Sequence, residues 1–202
     1  MSKLYVISAP SGAGKTSLVR ALLERRPQVV VSVSHTTRRP RTHERDGLDY
    51  YFVSPAQFEA LVQQGAFLEH ARVFDNCYGT GAAQVRERLA AGCDVVLEID
   101  WQGAQQVRRV MDDCVTIFIL PPSHDALQQR LQQRRTDSAE TIARRLADAV
   151  TDMAHYREFD YVVVNDRFEQ AVQELGAILD ADGQGLRADR ATLAPLVQQL
   201  LR

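Results

Sequence analysis

Lysine is nearly missing from this chain. Of its 24 basic residues only Lys3 and Lys15 are lysines, and every other one is arginine. Charge of one sign is missing too: the net charge of −2 leaves no global field to draw the chain onto nucleic acid or a membrane surface. The three cysteines, Cys77, Cys93 and Cys114, are odd in number and lack metal-ligand spacing. That excludes a disulfide framework and predicts reduced thiols in a cytoplasmic protein. No apolar run approaches the roughly 20 residues of a membrane span. A strand predicted from residue 4 leaves no room for a signal peptide. Repeats and low-complexity segments are lacking, and no two of the five histidines share metal-like spacing. An apolar fraction of 45% and a charged fraction of 25% over 202 residues suit one sizeable soluble α/β domain.

What is present starts with Ala9-Pro10-Ser11-Gly12-Ala13-Gly14-Lys15-Thr16. It follows the apolar run Leu4-Tyr5-Val6-Ile7 and precedes an amphipathic segment, 18–25. Strand, glycine-rich turn and helix are the context of a phosphate-binding loop. Curled backbone N–H groups and the positive end of the following helix address the same anion. Lys15 is expected to reach the terminal phosphates and the Thr16 hydroxyl to ligate Mg²⁺. One of the chain's two ammonium groups thus stands where phosphate chemistry wants a compact cation. Ala9 departs from the pattern, which has glycine there; this matters only if the position needs φ > 0.

Five short β-branched runs read as buried, parallel strands: 4–8, 29–33, 95–99, 115–120 and 161–164. With helical patterns between them they predict a doubly wound, three-layer α/β core. Two intervals exceed simple crossovers. The first, 34–93, opens with Thr36-Thr37-Arg38-Arg39-Pro40-Arg41, then a strand at 50–53. Ser54, Pro55 and Gln57 start a helix that Gly65 ends. Strands at 67–71 and 71–74 follow, and Tyr78-Gly79-Thr80-Gly81 turns. This interval is read as an inserted mixed α/β lobe. In the second, 121–159, Ser123 caps a helix bearing Leu127 and Leu131, with Arg130 and Arg134 on one face. Asp137 caps another, with Glu140 three residues on and Ile142, Leu146 and Val150 as its apolar stripe beside Arg145. A mobile lid and a helical hairpin with solvated basic faces both fit. Asn165-Asp166 turns, 168–180 is an amphipathic helix, 182–185 breaks it, and 192–201 forms a last helix. That tail packs on the core, on another subunit, or on neither, so a homo-oligomer stays open.

Ser34-His35-Thr36-Thr37-Arg38-Arg39-Pro40-Arg41, Asp49-Tyr50-Tyr51-Phe52-Val53, Phe67-Leu68-Glu69, Tyr78-Gly79-Thr80 and Leu97-Glu98-Ile99-Asp100 come in this order. Together with Trp101-Gln102-Gly103-Ala104 and Ile119-Leu120-Pro121-Pro122-Ser123, this set resembles the bacterial guanylate kinases from about residue 3 to 180. The resemblance implies a P-loop kinase moving the ATP γ-phosphate onto GMP, and onto dGMP, with Mg²⁺, and no nucleic-acid or membrane partner. It implies a kinase domain over 3–181, with core 3–33, 94–122 and 160–181, GMP-binding lobe 34–93 and lid 123–159, then a helical tail at 182–202.

Residue by residue, the resemblance implies ATP contacts from Ala9, Pro10, Ser11, Gly12, Ala13, Gly14, Lys15, Thr16, Ser17 and Asn165. Arg38, Arg41, Tyr50 and Tyr78 take the GMP phosphate, where forked guanidinium and neutral phenol donors suit a dianion. Glu69 accepts the N1–H and N2–H donors of guanine, and Ser34 and Thr80 add hydroxyl contacts. Glu98 and Asp100 are also counted with the GMP contacts; Asp100 at a strand end holds Mg²⁺, or caps the following helix, or both, and Glu98 stands where the family usually has Asp. Lys15, Arg130, Arg134 and Arg145 neutralise the transferring phosphate, and no general base is needed because the nucleophile is already an ionised phosphate oxygen. Arg135 stands where glycine is usual, Cys77 where an aromatic is common and Gly81 where serine is common. Two other readings stay open: a kinase of another phosphorylated small molecule such as a ribose bisphosphate, and a non-catalytic module binding protein ligands.

Overall fold

The computed structural model describes residues 2–73, 75–133 and 139–202. By packing the chain forms two compact units, Met1–Val6 with Gln28–Val115, and Ile7–Pro27 with Thr116–Arg202. In order, the elements are β1 (Leu4–Ser8), α1 (Lys15–Arg25), β2 (Val29–Val31), β3 (His35–Thr36), β4 (Tyr51–Phe52), α2 (Pro55–Gln63), β5 (Phe67–Val73), β6 (Asn76–Gly81) and α3 (Ala82–Ala90). They continue with β7 (Asp94–Glu98), α4 (Trp101–Val110), β8 (Val115–Leu120), α5 (His124–Gln133), α6 (Ala139–Ala154), β9 (Tyr161–Val164), α7 (Phe168–Leu179) and α8 (Ala194–Leu200).

Five strands make one sheet in the order β2-β7-β1-β8-β9, with β2 and β7 parallel and β8 and β9 parallel. Every residue of β1 is buried, and five of the six in β8 are. Such unbroken apolar strands are those covered on both faces. The five strands expected from the β-branched runs are all here. β2 stops two residues early: it is an edge strand whose exposure rises to 36% at Val31, so its outer half has nothing to pack on.

The first unit also holds a four-stranded mixed sheet, β4-β3-β6-β5, with β3 and β4 parallel and the other pairs antiparallel. Two expectations are corrected here. β5 is one strand over 67–73 rather than two, and the stretch Tyr78–Gly81, expected to turn, is the body of β6. Gly79 is not a turn residue: the Phe67 ring lies over it, and a Cβ there would sit 3.1 Å from the ring. Glycine inside a strand marks such a close approach. The α2 signals act as read. Ser54 and Gln57 form a reciprocal capping box, and Gly65, at φ 63°, closes the helix as Ala66 N–H reaches Leu61 C=O at 3.0 Å.

In the second unit Ser123 caps α5, its Oγ accepting from Ala126 N–H at 3.1 Å. Asp137, the expected cap of α6, lies outside the described residues. α1 packs on α7, where Arg26 forks onto both oxygens of Asp180. The tail packs within this same unit. Ala188 N–H donates to Asp160 C=O at 3.0 Å, Arg187 lies over the Tyr161 ring, and Leu193, Val197 and Leu200 are buried. Among the described residues no helix is long and apolar enough to cross a membrane.

Candidate functional site

The phosphate-loop residues belong to the second unit. β1 ends at Ser8, and the chain turns so that Ala13 N–H donates to Pro10 C=O at 3.2 Å. Gly12 and Gly14 take φ of 91° and 94°, a region that only glycine enters without strain. Gly14 is also the N-cap of α1. It offers no side-chain cap, and the first turn carries no acidic residue. No capping side chain and no first-turn carboxylate therefore competes with an anion for the positive helix end. Ala9 fits: among the described residues the one non-glycine with positive φ is Ala181, so the position that lacks its glycine does not need one.

The same unit holds the loop in shape. Asn165, 4% exposed, donates from Nδ2 to Ala13 C=O at 2.7 Å, and a Cβ on Gly14 would lie 2.5 Å from that nitrogen. Arg130 donates to Ala13 C=O at 3.3 Å and to Asn165 C=O at 2.8 Å. On the other side, a Cβ on Gly12 would meet Leu127 and Leu131 at 3.0 Å, and both leucines are fully buried. Sequence reading placed these leucines on the Ser123-capped helix without a partner; here α5 packs them against Gly12, so that they wall the loop. Arg145 lies half-buried on α6. Arg134 and Arg135 lie outside the described residues. Lys15 opens α1, with Thr16 and Ser17 exposed beside it.

The base-reading candidates meet in the first unit. Glu69 is 3% exposed and its Oε1 accepts from Thr80 Oγ1 at 2.5 Å. Thr80 Oγ1 also lies 3.5 Å from Ser34 Oγ. A bulge makes this possible. Phe67 pairs with Gly81 but Glu69 with Thr80, so one residue of β5 is left over at Leu68. Regular pairing would place Leu68 opposite Thr80; the bulge turns the carboxylate inward instead. It also explains why Leu68 and Glu69 are buried in succession where a strand should alternate.

Arg38, Tyr50 and Tyr78 gather beside that pair. Arg38 lies 5.4 Å from the Tyr50 ring centroid, and the Tyr50 and Tyr78 rings are 6.1 Å apart. Burial raises the Tyr50 phenol above its ordinary pKa, with Tyr78 and the Glu98 charge adding to it. Tyr50 is therefore a neutral O–H donor across the physiological range. Sequence reading missed Glu44. Its Oε1 accepts from Arg38 at 2.7 Å and its Oε2 from the Arg41 N–H at 2.8 Å. That hydrogen bond is the main reason the Arg38 guanidinium is held even more firmly charged than usual. An acidic residue three positions after Arg41 in an arginine-rich loop was the available signal. His35, between Ser34 and Thr36, packs: its ring lies 4.8 Å from Tyr51 and 5.3 Å from Phe67, and burial lowers its pKa against the pull of Asp46.

Asp100 is the N-cap of α4, its Oδ1 accepting from Gly103 N–H at 2.8 Å. The capping role read from sequence is thus present. Among the described residues no group of three or more His, Cys, Asp or Glu could hold a metal ion. Mg²⁺ needs no such group, because single oxygen donors with phosphate oxygens and water suffice. That is the ligand set Mg²⁺ prefers, since it keeps several waters and borrows substrate phosphates.

Comparison with known proteins agrees over nearly the whole chain. A family model described as Guanylate kinase matches residues 1–182. The guanylate kinase of Chromohalobacter salexigens is 57% identical over 198 residues, covering 98% of this chain and 92% of its own. That of Methylococcus capsulatus is 55% identical, covering 98% and 97%. The crystal structure of guanylate kinase from Anaplasma phagocytophilum matches with a TM-score of 0.75 at 34% identity, covering 98% of this chain and 94% of that one.

Proposed function

The chain belongs to the guanylate kinase family, and on that premise we propose that it moves the γ-phosphate of ATP onto GMP, giving ADP and GDP. dGMP carries the same base and phosphate and is the second acceptor of this reading. The observation that carries the acceptor assignment is the buried Glu69–Thr80 pair with Ser34 beside it. A carboxylate there accepts the N1–H and N2–H of guanine together. Adenine has no N2 amine and puts a donor at C6, leaving buried groups unpaired. Sites built on such pairing discriminate by factors of roughly 10⁴.

In this reading the loop from Ala9 to Ser17 takes the ATP phosphates, Lys15 neutralises them, and Asn165 and Arg130 keep the loop in register. Arg38, Arg41, Tyr50 and Tyr78 take the GMP phosphate, with Glu44 holding Arg38. Thr16 and Asp100 are the protein donors to Mg²⁺, which when bound neutralises charge on the phosphate oxygens. Arg134 and Arg145 neutralise the transferring phosphate, Glu98 and Asp100 belong to the GMP contacts, residues 34–93 serve as the acceptor lobe, and 123–159 as the lid. The chain's chemistry is positioning and electrostatic stabilisation; no side chain removes a proton from the nucleophile. The setting of this reading is cytoplasmic, and the free thiols of Cys77, Cys93 and Cys114 support it.

An ADP-release assay with GMP, dGMP, AMP, CMP and UMP as acceptors tests the proposal. GMP and dGMP should lead in kcat/KM, and a comparable value for AMP or UMP overturns the guanine assignment.

A further inference from the structure

Glu69 sits on β5, an edge strand of the mixed sheet, immediately after a bulge. An edge strand just past a bulge has only one ladder to fix its position. Here the missing ladder is supplied by one side chain of α4. The Gln106 amide accepts from His70 N–H at 3.1 Å and donates from Nε2 to His70 C=O at 2.9 Å. Both main-chain groups of the residue after Glu69 are thus taken by one amide, as a neighbouring strand would take them.

Three residues earlier on the same helix, and so on the same face, lies Gly103. A Cβ there would fall 2.5 Å from Glu69 Oε2 and 3.1 Å from its carboxyl carbon. Gly103 is helical, and its φ lies outside the left-handed region. Its backbone conformation is therefore open to alanine, and what demands glycine is the carboxylate. Alanine would also be the better helix former, so helix propensity runs against the residue found. The Gly103 N–H meanwhile binds the Asp100 cap.

We infer that α4 is the seat of the base reader, with Gln106 a positioning residue and Gly103 a specificity-determining position. Gln106 sets where the β5 backbone lies, and Gly103 leaves the one space into which the Glu69 carboxylate fits. This rests on the reading of Glu69 as the guanine contact. Neither position is among the residues assigned to the phosphates, so changing either should alter how the base is read and leave ATP handling alone.

The test compares GMP with IMP, which has the same phosphate and N1–H but lacks the N2 amine, in the full chain. Gln106→Ala and Gly103→Ala should each lower the kcat/KM ratio of GMP to IMP by about three- to tenfold, the worth of one or two displaced hydrogen bonds. The KM for ATP should stay within twofold of the parent. Gln106→Glu, which keeps the acceptor for His70 N–H but loses the donor to its C=O, should not restore the ratio. An unchanged ratio in Gln106→Ala, with only a lower unfolding midpoint, overturns the seat and leaves a purely structural helix contact. Should Gly103→Ala fail to fold, Gln106→Ala, at a half-buried position, decides alone. Glu69→Gln in the same series separates the two failures. If it collapses the ratio while both α4 variants keep it, only the seat is wrong. If it also keeps the ratio, the guanine reading itself is wrong.

Discussion

At Arg38 one acidic neighbour decides where the guanidinium points. Glu44 takes one fork nitrogen of Arg38 and the main-chain N–H of Arg41 together, so a single carboxylate ties the Arg38 guanidinium to the backbone at residue 41. Glu44→Gln keeps the shape and removes the charge. It should raise the KM for GMP by about three- to tenfold, in line with the loss of a charge-assisted bond, and leave the KM for ATP unchanged in steady-state assays. The same carboxylate makes an acid prediction. Burial pushes its pKa up, but the hydrogen bonds from Arg38 and Arg41 outweigh that, and its folded value lies below the ordinary one. Its contribution to stability is therefore complete above the ordinary glutamate pKa of about 4.3 and is lost as pH falls through the lower folded value. Acid titration of unfolding should show a shallower loss below about pH 4 in Glu44→Gln than in the parent. Much of the geometry at this scale was legible: the glycine-rich loop before α1 and the buried carboxylate at Glu69 both lie on residues singled out from sequence. Glu44 was not, because its role depends on a turn that returns residue 44 to residue 38, and no periodic pattern encodes such a return.

Among the elements, α5 carries a packing role that its basic face did not announce. Leu127 and Leu131 are fully buried against Gly12, and Arg130 is bonded to the loop backbone. Leu131→Ala should cost about 2–5 kcal/mol of stability, the range for truncating a buried leucine, and should raise the KM for ATP because the loop loses a wall. Ser54→Ala, which removes the α2 cap, should cost about 1 kcal/mol with the ATP KM unmoved. Urea denaturation and ATP titration of the two variants separate the effects. Strands and caps were readable because their signals are local: β-branched runs for the sheet, Ser54 with Gln57 for α2, Asp100 for α4. The bulge at Leu68 and the strand over Tyr78–Gly81 were not. Both are set by what lies across the sheet, the Phe67 ring on Gly79 and Thr80 opposite Glu69, and a glycine kept for close packing looks in sequence like a glycine kept for turning.

For the molecule as a whole, the last twenty residues contribute to the core. Leu193, Val197 and Leu200 are buried, and each such side chain is worth about 1.5–3 kcal/mol. That sum approaches the stability of a typical domain, about 5–15 kcal/mol. A chain ending at residue 181 should unfold at a markedly lower urea concentration than the full chain; an equal midpoint would show the tail to be dispensable. A second property belongs to the molecule entire. Because its cations are almost all guanidinium groups, its side chains offer primary-amine reagents two targets besides the α-amino group: Lys3 just before β1, and Lys15 at the head of α1. Acylation followed by mass spectrometry thus becomes a gauge of donor-nucleotide occupancy with its own internal standard. ATP should protect Lys15 while Lys3 reacts at an unaltered rate, and an acylating group carried on a nucleotide would have one lysine within the loop to modify.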